Sequence, residues 1–342
     1  MSGTRWLLTA LSFAVMVGAS TWVVATNWPA GGMPLLAWPA HAAALVAVAC
    51  EMSTRAFKIQ ASAIAMGLPL RFGTALRVCL AGDVAAALTP ARSGAEPARF
   101  LVLAESGMAP AGRIMVLFLE LVLEMGSLAL VCLLLALAFH GRGASVNGLL
   151  ALVGGYSTAV LGLGALGLLL ARVRADGPPS RWLAAIGLRG ARWQLVHRTA
   201  TQLQGAVHAL RTARRAPMLL AFGSSVLHVL CKVAVLPLLV LIGDGTMAVT
   251  REALAPLVLW PLALFYGGVV VPAPGGGGFI EGAFAATLKP AIPAAFFAAA
   301  LLWWRFYTFY LYLLVGGLAA GDAALRALRR QGSSAPDAHG HG

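Results

Sequence analysis

The chain has 342 residues, of which 60% are hydrophobic and only 11% charged, with a mean hydropathy of +0.83. Soluble domains carry roughly 45–50% apolar and about 25% charged residues, so soluble globular, disordered and fibrous classes are excluded and lipid is the main solvent. Lys and Arg outnumber Asp and Glu by 25 to 12, a net charge of +13. Because the arginines cluster between apolar runs, this excess points to membrane topology and anionic headgroups, not to nucleic acid.

A helix needs about 20 apolar residues to cross the hydrocarbon core. Residues 6–26 form the first such run, behind Arg5, and another follows at once, so a span is expected there and not a cleaved leader. Further spans are expected at 34–50, running on toward Arg55, and at 114–139, 149–171, 218–242 and 291–320. Cys50, Cys79, Cys132 and Cys231 all lie in apolar runs without a CxxC or CxxH partner. They read as buried thiols, and neither a metal nor any other cofactor is expected.

The distribution of Lys and Arg orients these spans. Residues 172–216 hold nine arginines against one acid, residues 51–113 hold seven basic residues, and the tail after Asp322 adds three. The alternate loops are nearly bare: none at 27–33, only Arg142 at 140–148, only Arg251 at 243–253. Six crossings with both termini in the cytoplasm satisfy this map, and a bacterial cytoplasmic (inner) membrane is the expected location. Twenty of the 25 basic residues then lie on the cytoplasmic side. The segment 172–216, where Trp182, Leu183, Ile186 and Trp193 alternate with arginines, is expected to lie as amphipathic helix on an anionic leaflet. Residues 322–342 read as a disordered cytoplasmic tail.

Two apolar stretches do not fit single spans. One runs over 76–105 and is broken by Pro90-Ala-Arg-Ser-Gly94; the other runs over 254–288 and is broken by Pro272-Ala-Pro-Gly-Gly-Gly-Gly278. Pro and Gly stop helices, and irregular backbone at membrane depth survives only where protein or a water-filled cavity covers it. Two re-entrant hairpins are expected, one from each face; the alternative is two full helical hairpins that cross twice, which leaves the parity of crossings unchanged. Residues 1–148 and 149–321 then repeat the same order of span, span, hairpin and span. Three crossings per half make the second copy inverted. The expected fold class is therefore all-α integral membrane, with six transmembrane helices plus two re-entrant hairpins in an inverted repeat. In such plans, sites form where broken helices meet near the midplane.

Ionisable groups inside spans are costly and point to function. Glu120 and Glu124 share one helix face. Asp83 lies in the first hairpin, with Glu96 and Arg99 after its break; Glu281 follows the glycines of the second. Lys232 and Arg305 sit mid-span. The expected headgroup-binding set is Arg99, Lys232 and Arg305, with Gly275, Gly276, Gly277 and Gly278 offering backbone N–H groups and Tyr310 beside them. Gating or proton coupling is expected of Asp83, Glu96, Glu120, Glu124 and Glu281. No nucleophile or metal-ligand set accompanies the carboxylates, so no catalytic residue is expected.

Three segments also carry a family likeness. Leu88-Thr-Pro-Ala-Arg-Ser-Gly-Ala-Glu-Pro-Ala-Arg99 is similar to a Pro-x-x-x-Gly-Glu-x-x-Arg signature, with one extra residue between Gly94 and Glu96. Glu120-Leu-Val-Leu-Glu124 is similar to a Glu-Arg-x-x-Asp step, with Leu121 at the Arg position and Glu124 at the Asp. Pro272–Glu281 together with Trp304–Tyr310 is similar to the final motif pair. In order and spacing the chain resembles the flippase-like family related to the transmembrane domain of lysylphosphatidylglycerol synthase. The resemblance implies an inner-membrane lipid translocase, moving an amphipathic lipid or a polyprenyl-linked precursor between leaflets. Some members are fused to a soluble aminoacyl transferase. About 20 residues follow the last span here, so this stretch is not expected to make aminoacylated lipid. Expected partners are the lipid or isoprenoid-linked substrate, anionic lipid at the basic segment, and a cytosolic lipid-modifying enzyme. The alternative function is a membrane scaffold anchoring such an enzyme.

Overall fold

The computed structural model describes residues 3–29, 32, 35–139, 144–170, 193, 212–244, 249–267, 271 and 274–319. The expected amphipathic segment 172–216 falls outside these residues except for Trp193 and 212–216, and the tail 322–342 falls outside them entirely. All regular elements among the described residues are helical. They are α1 (Gly3–Thr26), α2 (Trp38–Ala65), α3 (Phe72–Leu88), α4 (Ala95–Ala104), α5 (Pro110–Ala138), α6 (Ala144–Leu170), α7 (Arg215–Asp244), α8 (Arg251–Gly267), α9 (Phe279–Leu288) and α10 (Ala294–Arg305). The last continues through a π-helical turn, Phe306–Tyr310, to residue 319. Among the described residues, three helices are long and apolar enough to cross a membrane: Pro110–Ala138, Arg215–Gly243 and Ala294–Ala319.

The second element departs from the sequence reading. A span was expected over 34–50, running on toward Arg55. Instead α2 continues for 28 residues to Ala65, and the side chains of Glu51, Arg55 and Lys58 are buried. They lie at i, i+4 and i+7, one face of a helix. A Pro in its first turn starts α2, where the missing N–H costs nothing. This also corrects the charge map. Of the seven basic residues in 51–113, Arg55, Lys58 and Arg99 are buried in the bundle and are not loop charges.

α2 lies along α7, with Ala44, Ala47 and Val48 packed among Val235, Leu236, Leu239 and Val240. Small residues let the two backbones approach where lipid gives helices no hydrophobic drive to associate. Between α5 and α7, the buried hydroxyls of Ser127 and Ser225 bond at 2.8 Å.

The two interrupted segments have matching builds. α3 and α8 each have 17 residues, α4 and α9 each have ten. Each pair is joined through a three-residue 3₁₀ turn, Pro90–Arg92 and Pro274–Gly276. Both turns enter the left-handed region: Ala91 and Arg92 at φ 49° and 56°, Gly275 and Gly276 at 60° and 67°. The first is closed by Thr89, whose hydroxyl donates to the Ala85 carbonyl at 2.7 Å and accepts the Gly94 N–H at 2.8 Å. The second is closed by Glu281, whose Oε2 accepts the Gly278 N–H at 2.8 Å. Gly278 has φ +77°, a conformation a side chain would strain. The two tips pack against each other.

Candidate functional site

A polar cavity of about 70 Å³ opens where the two tips meet. Its charged walls are Glu51 and Arg55 from α2, Asp83 from α3, Arg92 from the first tip, Lys232 from α7 and Arg305 from α10. Gly275, Phe265, Thr308, Phe309 and Tyr312 complete it. One water-sized sphere needs about 10–15 Å³, so the cavity holds a phosphate-sized group and not a whole lipid.

Four cations therefore face two anions. Two of the cations are neutralised locally. Arg55 makes a two-pronged bond to the Asp83 carboxylate, and its Nε lies 3.7 Å from Glu51. Arg305 Nε lies 2.7 Å from Glu281 Oε1, while its guanidinium stacks 4.5 Å over the Phe309 ring. Among the described residues, Arg92 and Lys232 have no carboxylate partner. Lys232 instead stands 4.9 Å over the face of Phe265, an attraction strongest where water is excluded. The Arg305 side chain is buried and its Nη2 has no hydrogen-bond partner. The cavity thus carries a net positive charge, with a donor unused at its wall. The π-helical turn that follows Arg305 is a distortion often found at functional sites.

A second polar cluster backs the first. Lys58, fully buried, donates to Glu124 Oε2 at 2.5 Å and lies 2.9 Å from Glu120 Oε1. Arg99 Nη1 lies 3.1 Å from both Glu120 Oε2 and Glu96 Oε1. Tyr266 donates to Glu124 at 2.8 Å, and Tyr312 donates to Glu51 at 2.6 Å. The Arg99 stem lies against Gly82, where an added Cβ would fall 2.5 Å from Nε. Any larger residue at 82 displaces the guanidinium.

The expected site residues therefore divide. Asp83, Lys232, Gly275 and Arg305 line the cavity. Gly276, Gly277 and Gly278 finish the turn beside it, and Glu281 fastens that turn while holding Arg305. Arg99, Glu120 and Glu124 lie in the backing cluster. Glu96, at its rim, has a side chain 61% exposed. Tyr310 lies away from the cavity, in a groove between α1, α9 and α10. Glu51, Arg55, Lys58, Arg92, His228, Tyr266 and Tyr312 were not anticipated. The i, i+4, i+7 spacing of Glu51, Arg55 and Lys58 is a signal that could have found three of them.

Two mainly apolar grooves lie outside the cavity. One, of about 380 Å³, runs along the far side of α3 past Leu80, Val84, Leu88, Val102, Gly316 and Ala319. α3 thus turns Asp83, Ala86 and Ala87 toward the polar cavity and its larger aliphatic side chains toward the groove. The other, of about 180 Å³, lies between α1, α9 and α10 and shares Arg305 with the cavity.

No individual curated protein matches the chain. A family model described as the lysylphosphatidylglycerol synthase TM region matches residues 5–316. That match spans both hairpins, the cavity and the three long apolar helices. The chain belongs to the lysylphosphatidylglycerol synthase transmembrane-region family and is a multi-pass membrane protein.

Proposed function

We propose that the chain binds an amphipathic lipid by an anionic headgroup and moves it between leaflets, without making or breaking a covalent bond. One observation carries this reading: a cavity with two unneutralised cations, Arg92 and Lys232, lies at the junction of two broken hairpins, with one apolar groove sharing its Arg305 wall and a larger one across α3. A headgroup fits the polar space and acyl or prenyl chains fit the grooves. Arg92 is exposed at the first tip and Lys232 is half-buried. Cations without a carboxylate at membrane depth favour a ligand that supplies the counter-charge, and an anionic headgroup does so where a zwitterionic one does not.

The reading takes the chain as six crossings in an inner membrane, with both termini cytoplasmic and two inverted halves. The equal arm lengths and left-handed tips of the two hairpins support that plan. So does a reversed echo of charge. In the first half Arg99, after the tip, lies near Glu120 of the next helix; in the second, Glu281 after the tip lies near Arg305 of the next helix. Two such halves, pivoting about the meeting tips, would expose the cavity to one leaflet and then the other. The test is reconstitution into liposomes with head-labelled phosphatidylglycerol and a labelled polyprenyl phosphate. Loss of label protection faster than in empty liposomes for at least one of them is expected. Movement of neither above the empty control overturns the proposal.

A further inference from the structure

The imidazole of His228 touches two carboxylates at once. It is 2% exposed, with Nδ1 3.0 Å from Glu51 Oε1 and Nε2 3.3 Å from Glu124 Oε1. A neutral imidazole has one N–H and one lone pair. It can satisfy one of these carboxylates, and then it turns its lone pair on the other. Both close contacts are attractive together only when the three groups hold one proton more than a neutral histidine between two carboxylates.

The surroundings do not remove that requirement. From α2, Arg55 lies beside Glu51, and Lys58 binds Glu124. From α5, Glu120 competes for Lys58. Tyr266 of α8 donates to Glu124 and Tyr312 beyond the π turn of α10 donates to Glu51. On α7 itself, Lys232 is one turn from His228. Arg305, across the cavity, is held by Glu281. Each carboxylate of the triad already has a cation and a hydroxyl, yet Glu51 Oε1 and His228 Nδ1, 3.0 Å apart, each have no hydrogen-bond partner among the described residues, while Nε2 is hydrogen-bonded to Glu124.

We infer that Glu51, His228 and Glu124 form a proton-binding triad linked to the anion site. This inference rests on the headgroup reading above. Glu51 belongs to both: it touches the imidazole and lines the cavity beside Lys232. The event is a binding of one proton, which takes the triad from two negative charges to one. An anion beside Lys232 and Arg92 attracts that added positive charge. Proton and anion therefore favour each other, and the favour is reciprocal. Anion affinity rises as pH falls through the triad's titration, by about tenfold for a typical coupling.

The test uses the full-length protein in detergent micelles and phosphatidylglycerol, whose phosphodiester does not titrate between pH 5 and 9. Proton uptake is followed with a pH dye in weak buffer while lipid binding is measured in parallel. Up to about half a proton taken up per lipid bound at intermediate pH is expected, the most that a tenfold coupling gives, falling to near zero in His228→Gln. Glu124→Gln serves as a second variant, since it lets a neutral imidazole donate to Glu51 alone; it is expected to lose the uptake too. Lipid binding with no proton uptake, or uptake unchanged in both variants, overturns the triad and leaves the headgroup reading standing. Absence of lipid binding overturns the headgroup reading instead. In that case a ¹⁵N-histidine titration decides the triad alone: a His228 signal that holds both N–H protons over part of pH 5–9 supports it, and one that never does overturns it.

Discussion

Replacing Lys58 by Met isolates the energetics of the buried cluster. Lys58 is fully buried and binds Glu124 and Glu120 at 2.5 and 2.9 Å. Met keeps the length of the side chain and removes only the charge and its donors. Glu120 retains Arg99 at 3.1 Å, and Glu124 retains Tyr266 and His228. Removing one partner of a buried pair costs about 3–5 kcal/mol, because the charge left behind has neither water nor counterion. The two remaining neighbours place the expected loss near the lower figure, about 3 kcal/mol. A loss of that size is a large fraction of the roughly 5–15 kcal/mol that holds a folded protein together. The assay is unfolding of the purified protein in detergent. Lys58→Met is expected to lower stability strongly, while Lys58→Met with Glu124→Gln recovers about 1–2 kcal/mol, since the orphaned carboxylate is gone. Equal stability of wild type and Lys58→Met would refute the burial argument. So would a double variant less stable than the single one.

Glu281→Gln leaves the amide oxygen able to accept the Gly278 N–H but removes the counterion of Arg305. A stability loss of about 3 kcal/mol in detergent unfolding is expected, with recovery on adding Arg305→Met. Gly82→Val forces Arg99 away from Glu120 and should cost about 1–3 kcal/mol; an unchanged midpoint would contradict the close approach seen at that glycine. Single cysteines at positions 92–96 and at 275–278, placed in a background without the four native cysteines, should label from opposite faces of right-side-out and inverted vesicles. Labelling of both from one face would end the inverted-half plan.

What could be read ahead of the structure follows from how each residue signals itself. Glycine and proline at Pro90–Gly94 and Pro272–Gly278 break helices wherever they occur, so both hairpins were legible as breaks. α9 falls on the residues expected of it, 279–288. Lone charges in long apolar runs, such as Lys232 and Arg305, also stand out, and both line the cavity. Glu51, Arg55 and Lys58 did not, because a window of hydropathy treats three charges within eight residues as the end of a span. Only their common helix face shows that they belong to one, and only their partners on α3 and α5 make their burial tolerable. His228 and Tyr266 carry no signal in sequence at all. A lone histidine or tyrosine in an apolar run is most often a packed side chain, and what distinguishes these two is Glu124, more than a hundred positions away. Arg92 was counted as a loop charge and appears at the cavity because the first tip turns through the left-handed region at that residue.

On the proposed function, Arg92 and Lys232 attract an anionic headgroup that the protein then carries across the membrane. That function is tested most directly by liposome translocation of labelled phosphatidylglycerol against labelled phosphatidylcholine, with wild type and with Arg92→Gln plus Lys232→Gln. Faster movement of the anionic lipid by wild type is expected, with loss of at least tenfold of that preference in the double variant while its folding stays intact. Equal movement of both lipids by wild type, or an undiminished preference in the double variant, would contradict it.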